Sequence, residues 1–133
     1  DDLGHERKFS AFPVYGHSKL ASMLFSNELA RRLRGSGVSS NCLHPGAVAT
    51  SLGSQNGFFG KMLPLLLKPF FRSPQQGAQT SIYLCCSEEV AGISGEYFVN
   101  CKRSKPKPWA HDHAAAERLW AYTEQCLNFK YPV

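Results

Sequence analysis

The stretch Arg34-Gly35-Ser36-Gly37-Val38-Ser39-Ser40-Asn41-Cys42-Leu43-His44-Pro45-Gly46 decides the fold. Its first part closes a helix, its middle is a strand candidate, and its end is a tight turn. Upstream, residues 14–34 place Ala21, Phe25, Leu29 and Leu33 in one i+4 row, and Leu20, Met23 and Leu24 widen the apolar arc. Arg31, Arg32 and Arg34 suit the negative end of the helix dipole, and Gly35-Ser36-Gly37 ends the helix. Val38 to Leu43 then predicts a strand running into Pro45-Gly46. A helix, a Gly turn and a strand make half of a βαβ repeat, which predicts an α/β fold with a parallel sheet. So wide an apolar arc predicts packing on two sides, for example against a sheet on one and a partner subunit on the other.

Working outward, Pro13 marks the entry to this helix, and residues 1–12 are polar and read as a loop. Downstream, Ser73-Pro74 is an N-cap followed by proline at the first helical position. It starts a helix of about 74–87, with Ala78, Ile82, Tyr83 and Cys86 predicted to face inward. Tyr97-Phe98-Val99 is the last strand candidate, and Lys102 to Pro108 is a basic, proline-broken loop. Asp112 can cap a final helix over 113–127, with Ala116, Leu119, Trp120 and Leu127 near one face.

With 133 residues and 43% hydrophobic content, the chain has the size and apolar content of one domain. Net charge +5 is a moderate basic excess, and Lys102 to Lys107 has no aromatic platform, so nucleic acid is not an expected partner. The five cysteines (Cys42, Cys85, Cys86, Cys101, Cys126) form no Cys-x-x-Cys pair and read as reduced thiols buried as small hydrophobes. His111-Asp112-His113 has only one residue between its histidines, so capping rather than metal binding is expected, and no metal site is predicted. No window reaches the ~18 apolar residues of a membrane span. The stretch from Phe58 to Arg72 mixes bulky apolar and basic residues, is broken by Pro64 and Pro69, and holds no acid. It reads as a lid over a lipophilic substrate, as a membrane-surface patch, or as a helix pair buried against its own domain.

Two spacings carry chemistry. Tyr15 and Lys19 stand four apart near the helix start, so both side chains project from one face. A cation beside a phenol favours the phenolate, which suits a tyrosine to proton transfer. Pro45-Gly46, with Val48 and Thr50, follows a strand, where ligands bind in open α/β sheets. His44 before that turn is expected to make a structural hydrogen bond rather than to relay protons.

The order Tyr-x-x-x-Lys, long helix, short strand, Pro-Gly-x-Val-x-Thr, variable loop, Ser-Pro and helix resembles the short-chain dehydrogenase/reductase family. Tyr-Gly-His-Ser-Lys-Leu-Ala (15–21), Leu-His-Pro-Gly (43–46), Gln-Gly-Ala-Gln-Thr-Ser (76–81) and Ser-Gly-Glu-Tyr-Phe (94–98) are most similar to its retinol-dehydrogenase-like branch. The resemblance implies that Tyr15 is the acid/base for the substrate oxygen. It implies that Lys19 favours the Tyr15 phenolate and binds the nicotinamide ribose. Pro45, Gly46 and Val48 would line the nicotinamide pocket, and Thr50 would reach the carboxamide or a phosphate. The implied fold is the C-terminal portion of a Rossmann-like doubly wound parallel sheet. The implied cofactor is NADP, with NAD as the alternative, and the substrate a lipophilic alcohol/aldehyde pair such as retinol and retinal.

The family's Gly-rich turn, Asn-Asn-Ala-Gly-like segment and catalytic serine are not found in this sequence, and Ser10 lies too near Tyr15 to be that serine. The expectation is that residues 1–133 are the C-terminal part of one such domain, inactive alone. A non-catalytic isoform or fragment acting as a dimerisation module, through a homodimer on the long helix, is the alternative. Branch relatives suggest the endoplasmic reticulum membrane, with cytoplasmic or mitochondrial placement as alternatives.

Overall fold

The computed structural model describes residues 7, 9–48 and 71–132. Helix α1 spans Ala11–Arg32, strand β1 Cys42–His44, helix α2 Pro74–Cys86, strand β2 Tyr97–Val99, strand β3 Lys102–Arg103 and helix α3 His113–Leu127. Short 3-10 turns cover Glu88–Val90 and Pro108–His111.

Helix α1 begins three residues earlier than its apolar pattern predicts, because Pro13 sits inside its first turn. There the missing N–H has no helical partner to lose, and the first helical bond runs from the Val14 amide to the Ser10 carbonyl. Helix α2 starts as predicted: Ser73 and Gln76 form a reciprocal capping box ahead of Pro74. Asp112 caps α3, accepting from the Ala115 amide at 2.9 Å. Helix α3 ends at Asn128 in the left-handed region, with the Phe129 amide returning to the Glu124 carbonyl.

β1 and β2 are parallel, with Cys42 opposite Tyr97, Leu43 opposite Phe98 and His44 opposite Val99. α2 lies between them in the chain, as a parallel crossover requires. Successive strand residues face opposite sides. Tyr97 lines a groove with Leu20 and Met23 of α1, whereas the Phe98 ring lies 6.3 Å from that of Tyr83 in α2. The sheet therefore carries helices on both faces, a Rossmann-like α/β arrangement.

The predicted strand Val38–Leu43 shrinks to Cys42–His44. Val38 is exposed, while Ser40 and Asn41 spend their polar groups on the Ile93–Glu96 turn rather than on a ladder. The predicted loop after β2 contains a strand. Asn100 and Cys101, at φ 55 and 59, form a tight turn that pairs Phe98 with Arg103 and Val99 with Lys102. The Thr80 hydroxyl, buried in α2, accepts from the Cys101 amide at 3.3 Å and supports this non-glycine left-handed residue.

Helix α2 is rotated from its predicted phase. Gly77 and Thr80 are buried, whereas Ala78, Ile82 and Cys86 are exposed and Tyr83 is half-buried. Gly77 explains the rotation: a Cβ there would stand 2.5 Å from Val48 Cγ2, so the absent side chain is what lets the helix close on the end of β1. In α3, Ala116 and Trp120 are buried as predicted, but Leu127 is exposed.

The second side of α1 is covered by α3 of the same chain. The deepest residues of α1 are Leu24, Glu28 and Ala30, while Ala21, Phe25, Leu29 and Leu33 are half-buried. Phe25 stacks on Trp120 at 4.9 Å, and the Arg32 guanidinium lies over the same indole at 4.4 Å. Between them sits Glu28, 1% exposed. Its carboxylate accepts from Arg31 Nε and Nη2 at 2.8 and 2.7 Å and from Arg32 Nε at 2.7 Å. Arg31 Nη2 continues to Glu117 of α3 at 3.4 Å. The Arg31 hydrogen bonds, opposed by burial and reinforced by Arg32, hold the Glu28 carboxyl below its ordinary value of 4.5.

All five cysteines are free, but only Cys42 and Cys101 are partly covered. Cys85, Cys86 and Cys126 are exposed, because the first two fall on the outer face of the rotated α2 and the third on the outer face of α3.

A carboxyl depressed in the folded state stabilises the fold above its unfolded pKa and loses that contribution as pH falls through the lower folded value. Glu28→Gln is therefore expected to lower urea stability at neutral pH by about 2–3 kcal/mol, and the deficit should shrink below pH ~4. An equal deficit at both pH values would contradict the charged clamp. Gly77→Ala is expected to cost about 1–3 kcal/mol by overpacking against Val48, with Val48→Ala partly restoring the double variant in the same urea assay.

Candidate active site

Two side-chain contacts set the register of α1 on the sheet. Ser26 Oγ meets Ser40 Oγ at 2.8 Å, and the Cys42 thiol lies 3.9 Å from the Ser22 carbonyl. Each four-residue step back along α1, about 6 Å, thus matches a two-residue step forward along β1, about 6.6 Å. The helix runs antiparallel to the strand. Lys19 and Tyr15 lie about one and two turns beyond Ser22 toward the start of α1.

The Lys19 ammonium lies 5.1 Å from the centroid of the Tyr15 ring, so the cation rests on the aromatic face. Both side chains are accessible, Tyr15 at 54%. Ser18, between them, turns its hydroxyl back to the Tyr15 carbonyl at 2.7 Å. Beside Lys19, a groove of about 360 Å³ is lined by Leu20, Met23, Tyr97, Pro106 and Trp109, with Lys105 and Lys107 also on its wall. Burial pushes the Tyr97 phenol up, so that hydroxyl keeps its proton.

On the strand side, Gly46 has φ +85 and donates its amide to His44 Nδ1 at 2.8 Å. His44 thus makes the expected structural hydrogen bond, and its accepting Nδ1 requires the ring proton on Nε2. The Ala47 carbonyl accepts from the Arg72 amide at 2.7 Å, and Val48 bridges Arg72 in parallel. Because the peptide is trans, the Val48 N–H points away from Arg72. That turns the Val48 donor to the side of the strand end opposite Arg72.

The structure puts Lys19 against the Tyr15 ring on α1, and it sets Gly46 and Val48 against Arg72 after β1, with Pro45 between His44 and Gly46. Thr50 and residues 58–70 of the predicted lid lie outside the described residues. The space that the absent side chain of Gly46 leaves is occupied by the Arg72 side chain, with Cδ and Nε 2.9 Å from an ideal Cβ. Arg72, and Asn100 beyond it, were not singled out from the sequence. The available signal was a basic residue in an acid-free stretch, directly before an N-cap.

No family model matches the chain. It is 46% identical to human retinol dehydrogenase 14 over 132 residues, covering 93% of this chain and 38% of that protein. It is 43% identical to human retinol dehydrogenase 13, covering 99% of this chain and 42% of the other. With mouse retinol dehydrogenase 12 the identity is 42%, over 98% of this chain and 41% of that one. The chain thus spans about two fifths of the length of these relatives. Among solved structures, an uncharacterised protein from Mycobacterium paratuberculosis superposes with a TM-score of 0.69 at 23% identity, over 99% of this chain and 45% of its own. That superposition establishes the α/β fold, and the sequence identities establish the lineage. The chain belongs to the short-chain dehydrogenase/reductase family, in its retinol-dehydrogenase-like branch.

Proposed function

We propose that the protein is an NADP(H)-dependent oxidoreductase interconverting a lipophilic alcohol and its aldehyde or ketone, of the retinol/retinal type. What supports this reading is the Tyr15–Lys19 contact near the start of α1, together with the Pro45–Gly46 turn that follows a parallel strand. The substrate class follows the names of the relatives, and the apolar groove beside Lys19 is consistent with it.

In the reductive direction the Tyr15 hydroxyl gives its proton to the substrate oxygen, and in the oxidative direction the phenolate takes it back. Lys19, whose ammonium rests on the Tyr15 ring, binds the nicotinamide ribose hydroxyls. Pro45, Gly46 and Val48 hold the nicotinamide end, with the Val48 N–H meeting the carboxamide, and Thr50 completes the contact. The bound dinucleotide supplies or accepts the hydride. NADP rather than NAD follows the branch resemblance alone. The reading assigns the Gly-rich turn and the catalytic serine to the further length that the relatives possess. It also places the enzyme at the endoplasmic reticulum membrane, with the Phe58–Arg72 stretch against lipid. Among the described residues no helix is long and apolar enough to cross a membrane.

The test is retinal reduction by the protein expressed from its complete reading frame, with NADPH consumption followed by fluorescence. Tyr15→Phe is expected to lower kcat by about 10²–10⁴-fold, with dinucleotide affinity within about twofold of the parent. Full activity in Tyr15→Phe would remove the assignment.

A further inference from the structure

Arg72 reaches three partners at the place where the candidate site meets the sheet. Its amide is bound by the Ala47 carbonyl at 2.7 Å. Its side chain then crosses Gly46, with Cζ 3.1 Å from an ideal Cβ on that glycine. Beyond Gly46, Nη1 donates to Asn100 Oδ1 at 2.6 Å. Asn100 follows Val99, the last residue of β2, in the left-handed region. A single half-buried side chain therefore spans the carboxyl ends of both parallel strands.

The backbone that launches this side chain is itself fixed. Ser73, the next residue, is the N-cap of α2 and is locked by the capping box with Gln76. The turn beneath it is weakly held by comparison. Gly46 lies in a region only glycine adopts freely, and its amide is bound by an exposed histidine. A planar guanidinium anchored at its far end can restrict such a turn where a flexible ammonium would not.

We infer that Arg72 is a positioning residue. It clamps the Pro45–Gly46 turn against the end of β2 and holds it in the conformation that receives the nicotinamide end of the dinucleotide. The ligand in this statement rests on the function proposed above, whereas the clamp rests on the contacts of Arg72 alone.

The test uses Arg72→Met, Asn100→Gly and Asn100→Asp in the protein expressed from its complete reading frame. Glycine at position 100 removes the acceptor without straining the left-handed backbone, and aspartate keeps an acceptor. Amide hydrogen exchange at Gly46 and Ala47 is measured without cofactor, and kcat and dinucleotide KM are measured with retinal. Arg72→Met and Asn100→Gly should both speed exchange at Gly46 and raise dinucleotide KM about tenfold, with kcat within about twofold. Asn100→Asp should behave as the parent. Unchanged exchange, or faster exchange with unchanged KM, overturns the proposal. A KM rise in Arg72→Met without one in Asn100→Gly also overturns it, because Arg72 would then be touching the ligand itself. A parent that neither binds nor turns over the dinucleotide sinks the oxidoreductase reading instead, and the exchange measurement still decides the clamp.

Discussion

A carboxylate without solvent has to be neutralised where it stands, and Glu28 is neutralised from its own helix and its own next turn. Arg31 and Arg32 are thereby drawn inward at the end of α1. There one reaches Glu117 and the other covers the Trp120 indole. This couples the end of α1 to α3 through charge and aromatic stacking together. Apolar contact alone would allow the two helices to slide, whereas the Phe25–Trp120 stack, with the Arg32 guanidinium over the same indole, resists their rotation. The angle of α1 over the sheet depends on that arrangement.

The consequence appears at the other end of the helix. Tyr15 stands thirteen residues before Glu28, about 20 Å away along the axis. The anchored end is buried and ion-paired, while the end carrying Tyr15 and Lys19 is open, with Phe9 and Phe12 also exposed. One rigid rod thus separates the residues that secure the fold from those available for chemistry. The serine ladder between them, Ser18, Ser22 and Ser26, turns hydroxyls back to the helix or across to Ser40. It lets α1 lie close to the start of β1 without bulky packing.

Much of this was legible in the residue order. The helix, the strand before Pro45, the Ser73–Pro74 cap and the Asp112 cap each have a local physical cause; both caps stand where the sequence predicts them, while the helix starts three residues early and the strand is shorter. What failed were features decided by contact between distant segments. The inward face of α2 is set by Gly77 under Val48, which no periodicity within the helix reveals. The hairpin at Asn100–Cys101 lacks the glycine that would announce it and relies on Thr80 from another element. Glu28 was not singled out from the sequence, although arginines three and four residues later are what such a buried acid needs. For the site, the two spacings located Tyr15, Lys19 and the Pro45–Gly46 turn. Arg72 escaped notice because its role exists only once β1, β2 and the start of α2 have been assembled.

The three exposed thiols bear on how this protein must be handled. Cys85 and Cys86 are adjacent on the last turn of α2, and Cys126 lies near the end of α3. None is shielded, so air oxidation can join molecules through sulfur without disturbing the fold. A covalent pair formed in this way would migrate as a twofold species in any sizing experiment. Quaternary structure measured without reductant would then report storage history rather than a natural association.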